Sequence, residues 1–347
     1  MSSVRKSAYF YLTTSISTAV LVGCLCFTVN VIVDPLWYFG GNSLTGINFG
    51  FNERLSKIIF LSSRLGRYDC LIMGSSRATL LPEHLINGYR CHNLAFSGGT
   101  VTEFIMYARY LRYRGFAPSL LIVGVDDFDF EDPLPPVAVP DFVRMFKDPP
   151  SFLRTYASLD TLRFSIQTLL QISPLDRYYD GQLAGRVRSK VPVYVPPRLS
   201  ANAPMHMTTA SARLYAELRS IFPTARAIGY VPPISAWNVA QLEFEGNLDK
   251  YLEALNRTAS IFDEFLDFGI PSAITINPEN TYDGSHYSER VNQSIAASLV
   301  GGRPQAGIAW SPERFKTVSS EYRTRLHDYG LLPRGPDATR NHGGSDP

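Results

Sequence analysis

The sequence predicts an α/β protein: a three-layer αβα sandwich around a five-stranded parallel sheet, preceded by one N-terminal transmembrane helix. Three observations predict it. Five short apolar runs alternate with stretches of helical periodicity, the rhythm of a parallel sheet covered on both faces. The first run stops at Gly74-Ser75-Ser76, and others stop at polar or Gly-rich clusters; the carboxyl edge of such a sheet is where chemistry sits. No charged residue occurs from Ser7 to Val33, a run long enough to cross a bilayer as a helix.

The 347 residues suffice for one large domain or two small ones, and 45% hydrophobic with 12% aromatic content can build a sizeable core. A formal net charge of +2 gives no broad electrostatic footprint for nucleic acid, so none is expected as a partner. The cysteines at 24, 26, 70 and 91 have no metal-ligand spacing, and neither metal nor organic cofactor is expected.

Residues 1–33 read as a cytoplasmic stub and an anchor in the inner or cytoplasmic membrane through residues 7–33. Arg5 and Lys6 precede the apolar run and Asp34 follows it. The positive-inside bias then puts the N-terminus in the cytoplasm and the rest of this single-pass chain in the periplasm or outside the cell. Trp37, Tyr38 and Phe39 stand where an aromatic belt meets the headgroups. A cleaved signal peptide is one alternative; a lipoprotein signal, with Leu21-Val22-Gly23-Cys24 as its lipobox, is another. The stretch from Leu25 to Val33 stays largely apolar, where a mature lipoprotein turns polar, and this favours an uncleaved anchor. Export makes a Cys70–Cys91 disulfide an option beside two buried free thiols.

Residues 34–68 read as a membrane-proximal connector with a helix over 52–65. The sheet domain spans 69–301. It opens with a strand at 69–73, a helix at 77–87 and a strand at 91–96. A helix at 101–114 follows, with Phe104, Ile105, Ala108 and Leu111 on one stripe. The strand at 119–125 is a near-continuous apolar run, as in a doubly covered parallel strand, and ends at Asp126-Asp127. Residues 131–205 break the rhythm as a proline-rich insertion with one helix at 151–171. It either overhangs the sheet edge as a cap or is a surface excursion. Its cluster of Arg186, Arg188, Lys190 and Arg198 is a solvated loop or a site for an anionic polymer. The pattern resumes with a strand at 225–231 closed by Pro232-Pro233, a helix at 248–268, a strand at 271–276 and a last covering helix at 288–300. Residues 302–332 form a peripheral segment. The polar stretch 333–347 reads as a disordered tail.

Parallel strands bring the groups at their carboxyl ends to one edge: Ser75 and Ser76, Asn93 and Gly98, Asp126 and Asp127, then Asp283 and His286. That set holds a nucleophile, a base and an acid to orient the base, which are the parts acyl transfer needs. A serine hydroxyl attacks once an imidazole takes its proton, and a carboxylate three residues away can hold the other ring nitrogen. Gly98, without a side chain, lets a backbone N–H approach a developing oxyanion.

On these residues the chain resembles the SGNH, or GDSL-type, hydrolases. The family's Gly-Asp-Ser block reads Gly74-Ser75-Ser76. Its second block matches Asn93, Gly98 and Thr100 at the family spacing, and its Asp-x-x-His block matches Asp283 and His286. The resemblance implies a flavodoxin-like strand order and Ser76 as nucleophile, with Ser75 as the alternative. It implies His286 as base, Asp283 as its orienting acid, an oxyanion hole from Gly98 and the Ser76 amide, and Asn93 and Thr100 in support. The third block departs: Gly-x-Asn-Asp reads Gly124-Val125-Asp126-Asp127, so the donor asparagine is Asp126. An ionised carboxylate only accepts hydrogen bonds, and Asp126 completes the oxyanion hole only when protonated. Membrane-anchored proteins of this kind resemble those that add or remove O-acyl groups, often acetyl, on exported polysaccharides beside a multi-pass membrane O-acyltransferase. The expected activity is therefore serine-dependent acyl transfer or ester hydrolysis on an exported polysaccharide or cell-envelope glycan. A catalytically inactive glycan-binding or scaffold protein is the alternative.

Overall fold

A computed structural model describes residues 2–134, 136–173, 175, 177–187, 193–200, 207–301 and 306–332. The stretch 333–347, Arg188 and Lys190 lie outside the described residues. The first element, helix α1 (Ser2–Val33), contains the apolar stretch Ser7–Val33, long and apolar enough to cross a membrane, with mean hydropathy 2.3 and 11% buried. The helix runs through Cys24 without a break.

The joint below α1 is folded into the body of the protein. Asp34, in the left-handed region at φ 44, takes the backbone N–H groups of Tyr38, Phe39 and Gly41 on its carboxylate. Trp37 does not join an aromatic belt: its ring is fully buried and its Nε1 donates to the Asp180 carbonyl at 3.0 Å. Phe39 remains 55% exposed.

The strands are β1 (Ile47–Asn48), β2 (Cys70–Met73), β3 (Cys91–Asn93), β4 (Leu120–Gly124), β5 (Arg177–Asp180), β6 (Gly185–Val187), β7 (Arg226–Val231), β8 (Glu264–Asp267) and β9 (Ile308–Ala309). Strands β1, β5 and β6 form a small antiparallel sheet. The main sheet has the order β3-β2-β4-β7-β8-β9. Its first five strands are parallel and β9 is antiparallel, so the sheet has six strands where five were expected. Cys70 and Cys91 stand opposite each other across β2 and β3 and are joined by a disulfide.

The helices after α1 are α2 (Glu53–Ser62), α3 (Val101–Tyr113), α4 (Asp141–Arg144), α5 (Phe152–Tyr156), α6 (Leu159–Leu169), α7 (Ala212–Ile221), α8 (Ala236–Phe244), α9 (Leu248–Ala259), α10 (Glu289–Leu299) and α11 (Phe315–Asp328). Alternating strand residues feed two cores. Leu71, Met73, Leu121, Val123 and Ala227 pack toward side chains of α2, α3, α7, α9 and α11. Cys70, Ile72, Leu120, Ile122 and Ile228 pack toward α10 and the short turns after β2.

Three expectations fail locally. The helix at 77–87 is two 3₁₀ turns, Ser76–Ala78 and Glu83–Leu85. Pro82 lacks a donor, and Asn93 Nδ2 takes the Ala78 and Leu81 carbonyls at 2.9 and 3.1 Å, so a helical ladder cannot form. The helix at 151–171 breaks at Ala157-Ser158, where the Ser158 hydroxyl caps a new helix by accepting from Thr161 N. The helix at 248–268 ends at Ala259, and the fifth strand is β8, not 271–276. Phe265 and Leu266 pair with β7, whereas Ser272 and Thr275 hydrogen-bond to one another in a turn.

Candidate active site

The chain leaves β2 through Gly74, where a side chain is excluded: a Cβ would lie 2.6 Å from that of Ala78. Ser75 is fully buried, and its hydroxyl accepts from Arg77 N at 3.2 Å as the cap of the next turn. Ser76 follows, partly exposed, at the first position of that turn. Of the two hydroxyls, Ser75 serves the backbone and Ser76 is the one solvent reaches.

The loop that carries Asp283 and His286 is closed by an antiparallel bridge between Thr281 and Tyr287, with the Thr281 hydroxyl donating to the His286 carbonyl at 2.7 Å. Asp283 Oδ1 accepts from the N–H groups of Ser285 and His286, and Oδ2 lies 2.6 Å from His286 Nδ1. Burial alone would raise the Asp283 pKa, but the ring and backbone of His286 outweigh it and hold the carboxyl below its ordinary value. The carboxylate on Nδ1 assigns the ring proton there and leaves Nε2 as acceptor. Nε2 is buried and has no hydrogen-bond partner among the described residues. Tyr282 stacks on the imidazole, centroids 5.4 Å apart at 8°.

Several contacts draw this loop toward the carboxyl ends of β2 and β7. The Gly284 carbonyl accepts from Ser235 N, just past β7, at 2.8 Å. The charge of Arg77, next to Ser76, acts on the Tyr287 hydroxyl. Arg177 is hydrogen-bonded to Thr79, three residues past Ser76, and interacts electrostatically with Tyr282. From the insertion, Tyr194 fills the space a Gly284 Cβ would need and donates to Ser235 Oγ at 3.1 Å, so part of the insertion does overhang the edge. A cavity of about 420 Å³ borders the loop, lined in part by Val193, Tyr282 and Ser288.

Of the remaining expected site residues, Asn93, Thr100 and Asp126 are engaged within the fold and Gly98 is not. Asn93 Oδ1 accepts from Ala95 N while its amide holds the turn after Ser76. Thr100 caps α3 in a reciprocal box with Glu103. Gly98, at φ 60, is exposed, and among the described residues nothing accepts from its N–H. Asp126 is fully buried, with Oδ1 3.1 Å from Arg77 Nη1, which also reaches Asp127 at 2.7 Å. Burial pushes the Asp126 pKa up, against Arg77 and the adjacent Ser75, which lies outside hydrogen-bonding geometry to the unpartnered Oδ2. Burial likewise works against the Arg77 charge, but Asp127 and Asp126 outweigh it and hold the guanidinium firmly protonated. One Asp126 oxygen is thus held by Arg77, and the side chain has a proton to offer an oxyanion only in its neutral form.

Sequence reasoning missed the residues that brace the second loop. Glu53 Oε2 accepts from Ser97 N at 2.6 Å, Lys57 Nζ donates to the Ala95 carbonyl at 2.6 Å, and Arg54 holds the Ser97 and Gly98 carbonyls at 2.9 and 3.2 Å. With both carbonyls tied to Arg54, the Gly98 N–H is left on the open side. Three charges within five residues of an otherwise apolar helix were the available signal. For Arg77 the signal was a lone base beside the serines with an acid pair ending the neighbouring strand. Among the described residues no group of three or more His, Cys, Asp or Glu side chains could hold a metal ion.

No family model matches the chain, and no curated protein matches it in sequence. One solved structure, described as "a putative platelet activating factor from Streptococcus pneumonia", overlays with a TM-score of 0.35 and 11% identity, covering 71% of this chain and 89% of that one. A likeness of that size bears on neither fold nor function.

Proposed function

We propose that the protein is a membrane-anchored, SGNH-like serine acyltransferase or esterase acting on an exported polysaccharide or another cell-envelope glycan. The observation that carries the proposal is the Asp283–His286 pair, whose buried Nε2 has no partner among the described residues, on the sheet edge that also carries Ser76. In the proposed reaction Ser76 Oγ attacks the acyl carbonyl and passes its proton to His286 Nε2. The bond to the donor's leaving oxygen breaks, and that oxygen takes the proton. Water or a sugar hydroxyl then attacks the acyl-serine, gives its proton to His286, and Ser76 leaves with it. The Gly98 and Ser76 N–H groups receive the oxyanion. The apolar α1 supports an anchor, Arg5 and Lys6 before its apolar stretch support a cytoplasmic N-terminus, and the Cys70–Cys91 disulfide supports an oxidising compartment for the sheet domain. A multi-pass O-acyltransferase would supply the acyl group.

The test is labelling of the full chain by a fluorophosphonate probe, followed by mass spectrometry of the Ser75-Ser76 peptide. An adduct on Ser76 that disappears in Ser76→Ala is the expected result; undiminished labelling of Ser76→Ala removes Ser76 from the role. A second reading, an inactive glycan-binding or scaffold protein, is favoured by the Arg77–Asp126 pair, which removes the third oxyanion donor. No adduct on either serine, together with glycan binding, would select it.

A further inference from the structure

Helix α6 is built inside out. Its buried residues are Thr161, Ser165 and Thr168, while Leu159 is 79% exposed, Ile166 45% and Leu169 51%. Leu170, directly after it, is 63% exposed, and Leu153 on α5 is 58% exposed. A helix that borders water carries the reverse pattern.

The buried hydroxyls fasten α6 to the lower end of α1 and to the connector. Ser165 Oγ donates to Asn30 Oδ1 at 2.7 Å, and Asn30, fully buried on α1, donates to the Tyr156 carbonyl at 2.8 Å. Thr168 Oγ1 accepts from Phe49 N and Gly50 N at 3.2 and 3.0 Å. The turn between α5 and α6 satisfies part of its own backbone: Ala157 N and Ser158 N donate to the Leu153 and Thr155 carbonyls, and Ser158 Oγ accepts from Thr161 N. Ser158 Oγ and Thr161 Oγ1 both donate to the Thr155 carbonyl as well. The apolar surface is also continuous with the anchor, because Ala157 and Leu159 share a cavity of about 710 Å³ with α1 residues from Phe10 to Cys26.

We propose that α5 and α6 form a hairpin seated in the bilayer that α1 crosses, with Leu153, Leu159, Ile166, Leu169 and Leu170 among the acyl chains of the leaflet nearest the sheet domain. Arg154, Asp160 and Arg163 are exposed too, which sets the hairpin at the boundary between headgroups and acyl chains rather than at the midplane. This inference rests on α1 being a membrane anchor and is independent of the acyl-transfer chemistry.

The experiment uses the full chain in phospholipid nanodiscs, with Cys24→Ser and Cys26→Ser as background and the disulfide intact. Single nitroxide labels are attached through Leu159→Cys, Ile166→Cys or Leu169→Cys, and through Val20→Cys on α1 as reference. Their collision rates with oxygen, which partitions into lipid, and with a water-soluble nickel chelate are compared. Oxygen collisions several-fold above nickel at all three hairpin sites, as at Val20→Cys, are the expected result. Nickel-accessible hairpin labels beside a lipid-exposed Val20→Cys overturn the inference and leave the anchor standing. Labels shielded from both reagents overturn it in favour of a protein occupant. A nickel-accessible Val20→Cys overturns the anchor and this inference together.

Discussion

Two acid–base pairs stand at the carboxyl edge of the sheet, and they are built for opposite ends. Arg77 with Asp126 and Asp127 is closed on the cation's side: one guanidinium nitrogen, 11% exposed, serves two carboxylates, one of them the fully buried Asp126. Asp283 with His286 is open: the carboxylate is 42% exposed, the imidazole 18%, and one ring nitrogen is left without a bond. The first removes charge from play; the second prepares a proton acceptor. Unspent hydrogen-bonding capacity alone does not separate them, because Asp126 Oδ2 is also buried without a partner among the described residues; what differs is that a cation already holds the other Asp126 oxygen.

The sharpest way to break this comparison is Asp283→Asn. In the open pair it should lower turnover of p-nitrophenyl acetate by about 10³- to 10⁴-fold, because the imidazole loses its tautomer, while the urea midpoint hardly moves. A variant that unfolds instead would put both pairs in the same structural class. Arg77→Met tests the other side. It leaves Asp126 buried without its cation, and unfolding should become easier by about 3–5 kcal/mol, read from the urea midpoint. Adding Asp126→Asn should recover part of that loss, and no recovery would mean that the clamp is not the cause. The smallest effect concerns Lys57, a second closed cation, buried and pushed down to about 8 from 10.5 by desolvation, which outweighs Glu53. Between those values the unfolded chain binds more protons than the folded one, so Lys57 makes stability rise with pH, on the order of 2 kcal/mol. The stability of wild type relative to Lys57→Met, measured from pH 7.5 to 10.5, should rise over that window; a constant difference would show that Lys57 titrates normally.

The parts of the site legible in the sequence are those whose meaning is local. Gly74-Ser75-Ser76 after an apolar run, and Asp283 three residues before His286, each specify a turn by themselves. The helices α3 and α10 were legible for the same reason: their apolar stripes stand alone. What failed was set by distant partners. The helix expected at 77–87 lost its carbonyls to Asn93, and the strand expected at 271–276 yielded to Phe265 and Leu266, whose pairing with β7 a reading of periodicity cannot weigh against a continuing helix. The task of Asp126 was invisible because Arg77 lies 49 residues away along the chain. The tasks of Glu53, Arg54 and Lys57 went unread for the same reason, since the Ala95, Ser97 and Gly98 groups they hold lie 38 to 44 residues away along the chain.

The joint at Asp34 and Trp37 carries a further consequence. A flexible tether would let the domain wander through a hemisphere above its anchor. Here the last turn of α1, the capped Asp34 and the buried indole form one unbroken piece with the small sheet. With α1 in a bilayer, the carboxyl edge of the sheet would be held at a set altitude and tilt above the lipid.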